Sequence, residues 1–227
     1  MSNIPIVYED NHLLVVVKPP NLLSQGDSTG DPDLLTLLKE YIREKYDKPG
    51  NVYLGLVHRL DRPVGGVMVF ARTSKAASRL SEQIREGDLD RGYLAVVHGH
   101  LERLSGSLTG YLLKDRSKNL VKLVKAGTKG AQEARLDYRV VDMSADCTLV
   151  RIKLHTGRSH QIRVQMAELG HPLVGDQRYG PRSNERRQIA LWAEWLRFIH
   201  PTTKEVMEFR EPPPQVQPWT EFKGVYS

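Results

Sequence analysis

Five β-rich runs follow one another after Gly92: Tyr93–His98, Ser107–Leu113, Leu120–Val124, Ala134–Val141 and Thr148–His155, separated by turns bearing glycine and lysine. Strands in succession with few helices argue for an α+β fold built on a largely antiparallel mixed sheet. The flanks fit that frame. Ile6–Tyr8 and Leu13–Val17 read as strands, the second stopped by Pro19-Pro20, which cannot continue a ladder. Tyr53–Val57, Val67–Ala71, Ile189–Phe198 and Glu205–Arg210 are further strands. Three helices complete the set. Asp31-Pro32 predicts the start of the first, whose stripe is Leu34, Leu35, Leu38, Tyr41 and Ile42. Ser74 caps a second, with Ala76, Ala77, Leu80 and Ile84 on one face and Gly87 past its end. A short one over Ser159–Leu169 stops at Gly170. No repeat divides the chain, so one continuous domain over 1–227 is expected.

Charge narrows the partner. The net charge is +6, but residues 1–50 hold five Lys/Arg against eight Asp/Glu, a net of −3. The remainder therefore holds 28 against 19, a net of +9. Lys114, Arg116, Lys118, Lys122, Lys125 and Lys129 form one concentration, and Arg178, Arg182, Arg186 and Arg187 another. That asymmetry is the electrostatic footprint of nucleic acid, although a solvated surface would look the same for either patch alone. No apolar run is long enough to span a bilayer, so no membrane partner is expected. The Met1–Pro5 stretch lacks a secretory signal. The single cysteine, Cys147, can neither form an internal disulfide nor supply a metal cluster, and reads as a buried, inert thiol. The expected compartment is the cytosol.

One segment carries chemistry. His58-Arg59-Leu60-Asp61-Arg62-Pro63-Val64-Gly65-Gly66 sets a carboxylate beside two arginines at the lip of a turn that feeds an apolar strand. Opposite charge favours the ionised form, so Asp61 suits a nucleophile or counter-ion better than a proton donor. Taken alone, it reads more readily as an ordinary turn residue before Arg-Pro. Three more segments change the balance: Arg91-Gly92-Tyr93 through Gly99, Leu154-His155-Thr156-Gly157-Arg158-Ser159-His160-Gln161-Ile162-Arg163, and Gly170-His171-Pro172-Leu173-Val174-Gly175-Asp176 followed by Tyr179-Gly180.

With the opening Tyr8-Glu9-Asp10-Asn11-His12 and Val17-Lys18-Pro19-Pro20, these segments in this order resemble the RluA family of RNA pseudouridine synthases, across the chain to about Arg210. The resemblance implies isomerisation of uridine in structured RNA, a ribosomal or transfer RNA stem-loop, without metal or organic cofactor. It matches Asp61 to the catalytic aspartate, which attacks the sugar or supports a glycal route. Tyr93 matches the tyrosine that stacks on the target base, and Arg163 the basic residue paired with the carboxylate. Arg59 matches the arginine that fills the space of an extruded uridine, since a base inside a stem-loop must be flipped out to react. His58, Arg62, Arg158 and His160 are expected to contact RNA, the last two near a helix start that favours anions.

Two departures stand out. Val64-Gly65 replaces a common Thr-Ser, removing two hydroxyls behind the aspartate, and Arg91 replaces a common lysine. The accessory S4-type domain of some relatives has no room before Ile4, so RNA affinity is expected to come from the catalytic domain, acting as a monomer. Eight histidines invite a metal reading, but they lack the paired-histidine spacing with glutamate of a zinc-hydrolase helix. Gly65-Gly66 and Gly127–Gly130 lack phosphate-loop spacing, and His171-Pro172, Trp192 and Trp195 read as turn and core. The competing functional class is a non-catalytic RNA-binding or folding-assistance protein, which would need no carboxylate facing an anionic ligand.

Overall fold

The structure is a computed structural model, and it describes residues 4–181 and 187–226. Arg182 and Arg186 of the second basic stretch lie outside the described residues. The chain sorts into two compact units, Met1–Asp90 with Ala193–Glu211, and Arg91–Trp192 with Pro212–Ser227.

In the first unit, β1 (Ile6–Glu9) and β2 (Leu13–Lys18) form a hairpin, and β2 pairs antiparallel with β4 (Gly65–Ala71). The short β3 (Gly55–Leu56) also pairs with β4. A further strand, β10 (Leu191–Ile199), lies beside β4 and pairs with β11 (Val206–Arg210). Every residue of β4 is buried, which explains why it reads as a continuous apolar run rather than an alternating one. Leu13, Val15, Val67, Val69, Leu196 and Phe198 form a core with Ala76 and Leu80 of α2 (Ser74–Glu86).

Helix α1 (Leu34–Lys45) starts two residues later than Asp31-Pro32 predicts. Asp33 is the true cap: its Oδ1 accepts the Thr36 N–H at 3.0 Å and its Oδ2 the Thr36 hydroxyl at 2.7 Å. Asp31 instead pairs with Arg62, a tertiary contact that local spacing cannot reveal. Helix α2 is capped by Thr73 rather than Ser74, and Gly87 ends it in the left-handed conformation as expected. The predicted strand over 53–57 shrinks to β3. Downstream of it the backbone leaves the ladder, and the His58 ring takes up the Val69 N–H.

In the second unit the strand order is β5 (Asp90–His98), β9 (Cys147–Leu154), β8 (Gln132–Met143), β6 (Ser105–Asp115) and β7 (Leu120–Val124), antiparallel at each step. Helix α3 (Gln161–Glu168) buries Gln161 through Met166, and its Val164 joins Leu112, Val121 and Ala134 in a second core. A helix buried on most of its circumference carries little amphipathic signal, so its polar members must be held by specific bonds. Cys147, the first residue of β9, is only partly buried, and burial raises its thiol above the ordinary value. Trp192 is buried, as read from sequence. The architecture is the largely antiparallel α+β fold expected, and among the described residues no helix is long and apolar enough to cross a membrane.

Candidate active site

The Asp61 loop is fixed on both sides. Ser24 receives the Leu60 N–H at 3.1 Å and donates its hydroxyl to the Leu60 carbonyl at 2.8 Å, which locks the residue before the aspartate. The Val64 N–H closes the turn on the Asp61 carbonyl at 2.9 Å. Lys18 locks the residue after it. Its Nζ donates to the carbonyls of Leu22 at 2.6 Å, Pro19 at 3.1 Å and Arg62 at 3.1 Å. Three acceptors match the three donors of an ammonium group.

Lys18, which closes the apolar run Leu13–Val17, is itself 0% exposed. Burial pulls its pKa from 10.5 down to about 7; the Asp61 carboxylate opposes that shift, and the neighbouring Arg62 adds to it. The loop alternates inward and outward: His58 and Leu60 are buried, Arg59 and Arg62 exposed, and Asp61 half-buried. A carboxylate is therefore presented on a rigid loop with a buried cation nearby. That is the arrangement a nucleophile or counter-ion needs.

The remaining residues of that segment divide by this alternation. Arg59 is exposed. Arg62 makes an exposed ion pair with Asp31 at 2.7 Å and bonds the Asn21 carbonyl. His58, expected among the RNA contacts, is buried instead, and its Nε2 accepts the Val69 N–H at 3.1 Å, bracing β4.

The second unit carries the other predicted residues. Tyr93 sits on β5 opposite Ile152, flanked on its face by the fully buried Ala95, and is itself 7% exposed. Arg163 projects from α3 and grips Asp176 through two parallel bonds, Nε to Oδ2 and Nη2 to Oδ1, both 2.7 Å. From sequence, Arg163 is expected to pair with Asp61, and Asp176 has no role. Asp176 lies in the turn-rich segment after Gly170, and that motif is the signal for it. His160 adopts φ +54° just before α3, and its Nδ1 lies 2.7 Å from the Tyr179 hydroxyl. Arg158 is exposed and bonds the Glu133 carbonyl through Nε. Gln161 fixes this turn by accepting from the Arg158 N–H and the Thr156 hydroxyl while donating to the Arg135 carbonyl. Among the described residues no three His, Cys, Asp or Glu side chains are grouped as a metal site requires.

The RNA pseudouridylate synthase family model matches residues 12–168. The chain is 37% identical over 214 residues to the uncharacterized RNA pseudouridine synthase YjbO of Bacillus subtilis, covering 92% of this chain and 72% of that one. It is 35% identical over 216 residues to ribosomal large subunit pseudouridine synthase C of Escherichia coli K12, covering 91% of this chain and 66% of that one. Among solved structures it resembles human RNA pseudouridylate synthase domain containing 1, at 26% identity and a TM-score of 0.73, over 94% of this chain and 85% of that one. The fold alone is shared with human RNA pseudouridylate synthase domain containing 4, at 22% identity and a TM-score of 0.77, over 93% and 89% of the two chains. On the extent of the model match and the identity to these relatives, the chain belongs to the RNA pseudouridylate synthase family, an isomerase class of enzyme.

Proposed function

We propose that this enzyme isomerises particular uridines in structured ribosomal RNA, with transfer RNA as the second substrate class, and that Asp61 is its catalytic carboxylate. The observation that carries this reading is the Asp61 loop, pinned at Leu60 and Arg62 and half open to solvent. A side chain that must meet one atom of a bound nucleotide gains from such preorganisation. Ribosomal RNA is placed first because one relative is named a ribosomal large subunit synthase.

In this reading the N-glycosidic bond of the target uridine breaks, the uracil turns, and C5 bonds to C1′. The proton on C5 leaves to solvent and N1, released from the sugar, takes one up, so the product is an isomer of the uridine. Asp61 either forms the bond to C1′ or supports elimination to a glycal. Tyr93 stacks on the uracil, Arg163 supplies positive charge to the reacting assembly, and Arg59 fills the space of the extruded base. Extrusion costs a few kcal/mol, which contacts to the flanking phosphates offset. The exposed Lys118, Lys122, Lys125 and Lys129 around β7 suit that task.

The test is to map pseudouridines in ribosomal and transfer RNA from a strain lacking the gene, complemented with wild type or Asp61→Ala. Defined sites should vanish and return only with wild type. An unchanged map, or restoration by Asp61→Ala, would remove the assignment.

A further inference from the structure

The Arg163–Asp176 pair is almost wholly buried, with side-chain exposures of 7% and 0%. Its stability value does not explain it. A buried ion pair loses hydration on both partners, and an apolar pair of similar volume is often as stable. What a forked pair supplies is direction. With Nε and Nη2 both committed to one carboxylate, the guanidinium plane cannot turn, so the heading of Nη1 is set by Asp176.

The carboxylate is itself held. Its Oδ1 also accepts the N–H groups of Arg178 at 2.9 Å and Tyr179 at 3.1 Å. Burial pushes the Asp176 carboxyl up, but the Arg163 bond and charge, with the two backbone donors, bring it below the ordinary value. The Tyr179 ring lies 5.2 Å from the Arg163 guanidinium carbon and forms one wall of its slot.

The same short segment grips the basic hairpin. Tyr179 Oη accepts the Val121 N–H at 2.8 Å on β7. Arg178 Nη1 donates to the carbonyls of Lys118 at 3.2 Å and Asn119 at 2.9 Å, in the β6–β7 turn. Three near-consecutive residues thus tie the arginine to the strand and turn that present Lys118 and Lys122.

We infer that Asp176 is a positioning residue for isomerisation, aiming the Arg163 guanidinium and, through Arg178 and Tyr179, holding it in register with the hairpin that engages RNA phosphates. The inference rests on the role proposed above for Arg163.

The test is single-turnover tritium release from 5-tritiated uridine RNA, alongside RNA affinity, for Asp176→Asn, Arg163→Lys and the double variant. Asparagine keeps an oxygen for the Arg178 and Tyr179 N–H groups but loses the charged fork. Asp176→Asn should slow release by about tenfold to a hundredfold, the cost of a misaimed group, with RNA affinity unchanged. The double variant should be no slower than Arg163→Lys alone, because Asp176 acts through Arg163. Wild-type release by Asp176→Asn beside a slow Arg163→Lys overturns the inference, as do losses that multiply in the double variant. Wild-type release by Arg163→Lys overturns the assignment of Arg163, and this inference with it. Should Asp176→Asn fail to fold, hydrogen exchange at the Arg163 Nε–H of the wild-type enzyme decides. Slow exchange supports a locked fork, and exchange as fast as that of an exposed arginine overturns it.

Discussion

Gly66→Ala should be among the most damaging single-atom changes in the first unit. Gly66 has φ +127° and pairs with Lys18 across the β2–β4 ladder. A Cβ built there would lie 2.5 Å from the backbone nitrogen of Ala193 and 2.7 Å from its carbonyl carbon, closer still to the carbonyl oxygen. These are backbone atoms of a neighbouring strand, so no rotamer change relieves the clash. Strain in a glycine-only conformation costs roughly 1–3 kcal/mol. Forcing extra volume into a packed site costs about the same again, giving a total on the order of 2–6 kcal/mol. Against a typical stability of about 5–15 kcal/mol, the loss is large.

Gly87→Ala is the internal control. It also has positive φ, +84°, but nothing lies within 4 Å of the added carbon. It should cost only about 1–2 kcal/mol. Urea denaturation of both variants reads the difference directly, and at about 2–4 °C per kcal/mol melting temperatures should follow it. Surviving Gly66→Ala protein should also isomerise poorly, because Lys18 and the Arg62 carbonyl that it holds lie across the ladder. Equal stability of the two variants would refute the close β4–β10 approach on which this reasoning depends.

Lys18 makes stability depend on pH in a defined sense. Its folded pKa of about 7 lies below the ordinary 10.5, so between those values the unfolded chain binds the extra proton. Stability should therefore rise with pH through that window by a few kcal/mol. Lys18→Met should flatten the rise, and equal pH slopes in the two proteins would count against the burial of this group. Replacing Lys118, Lys122 and Lys125 by glutamine should weaken RNA binding and reduce its salt dependence by about 0.9 in log–log slope for each phosphate left without a cation. Release at saturating RNA should be unaffected, and an unchanged slope would place the RNA elsewhere.

Period and punctuation made most of the fold legible. The second helix and its Gly87 stop follow from local chemistry alone, as do the successive antiparallel strands after Gly92. Misses occurred where a side chain chose a distant partner. Asp31 looks like a helix cap until Arg62 is seen to claim it, which leaves Asp33 to cap α1. His58 looks like an RNA-binding side chain until alternation turns it inward to Val69. Lys18 gave a faint signal, a lysine closing the apolar run Leu13–Val17 before two prolines, but nothing local shows that three carbonyls enclose it. The Asp61 loop was legible as a motif. Its rigidity was not, because Ser24 and Lys18 act from 36 and 44 residues away.

The central claim is that the Asp61 carboxylate performs the chemistry. Single-turnover tritium release from 5-tritiated ribosomal RNA by Asp61→Asn tests it most directly, since asparagine keeps the shape and removes the charge. Release should fall to background while RNA binding and the urea midpoint stay near those of the wild type. Release at the wild-type rate would contradict the account.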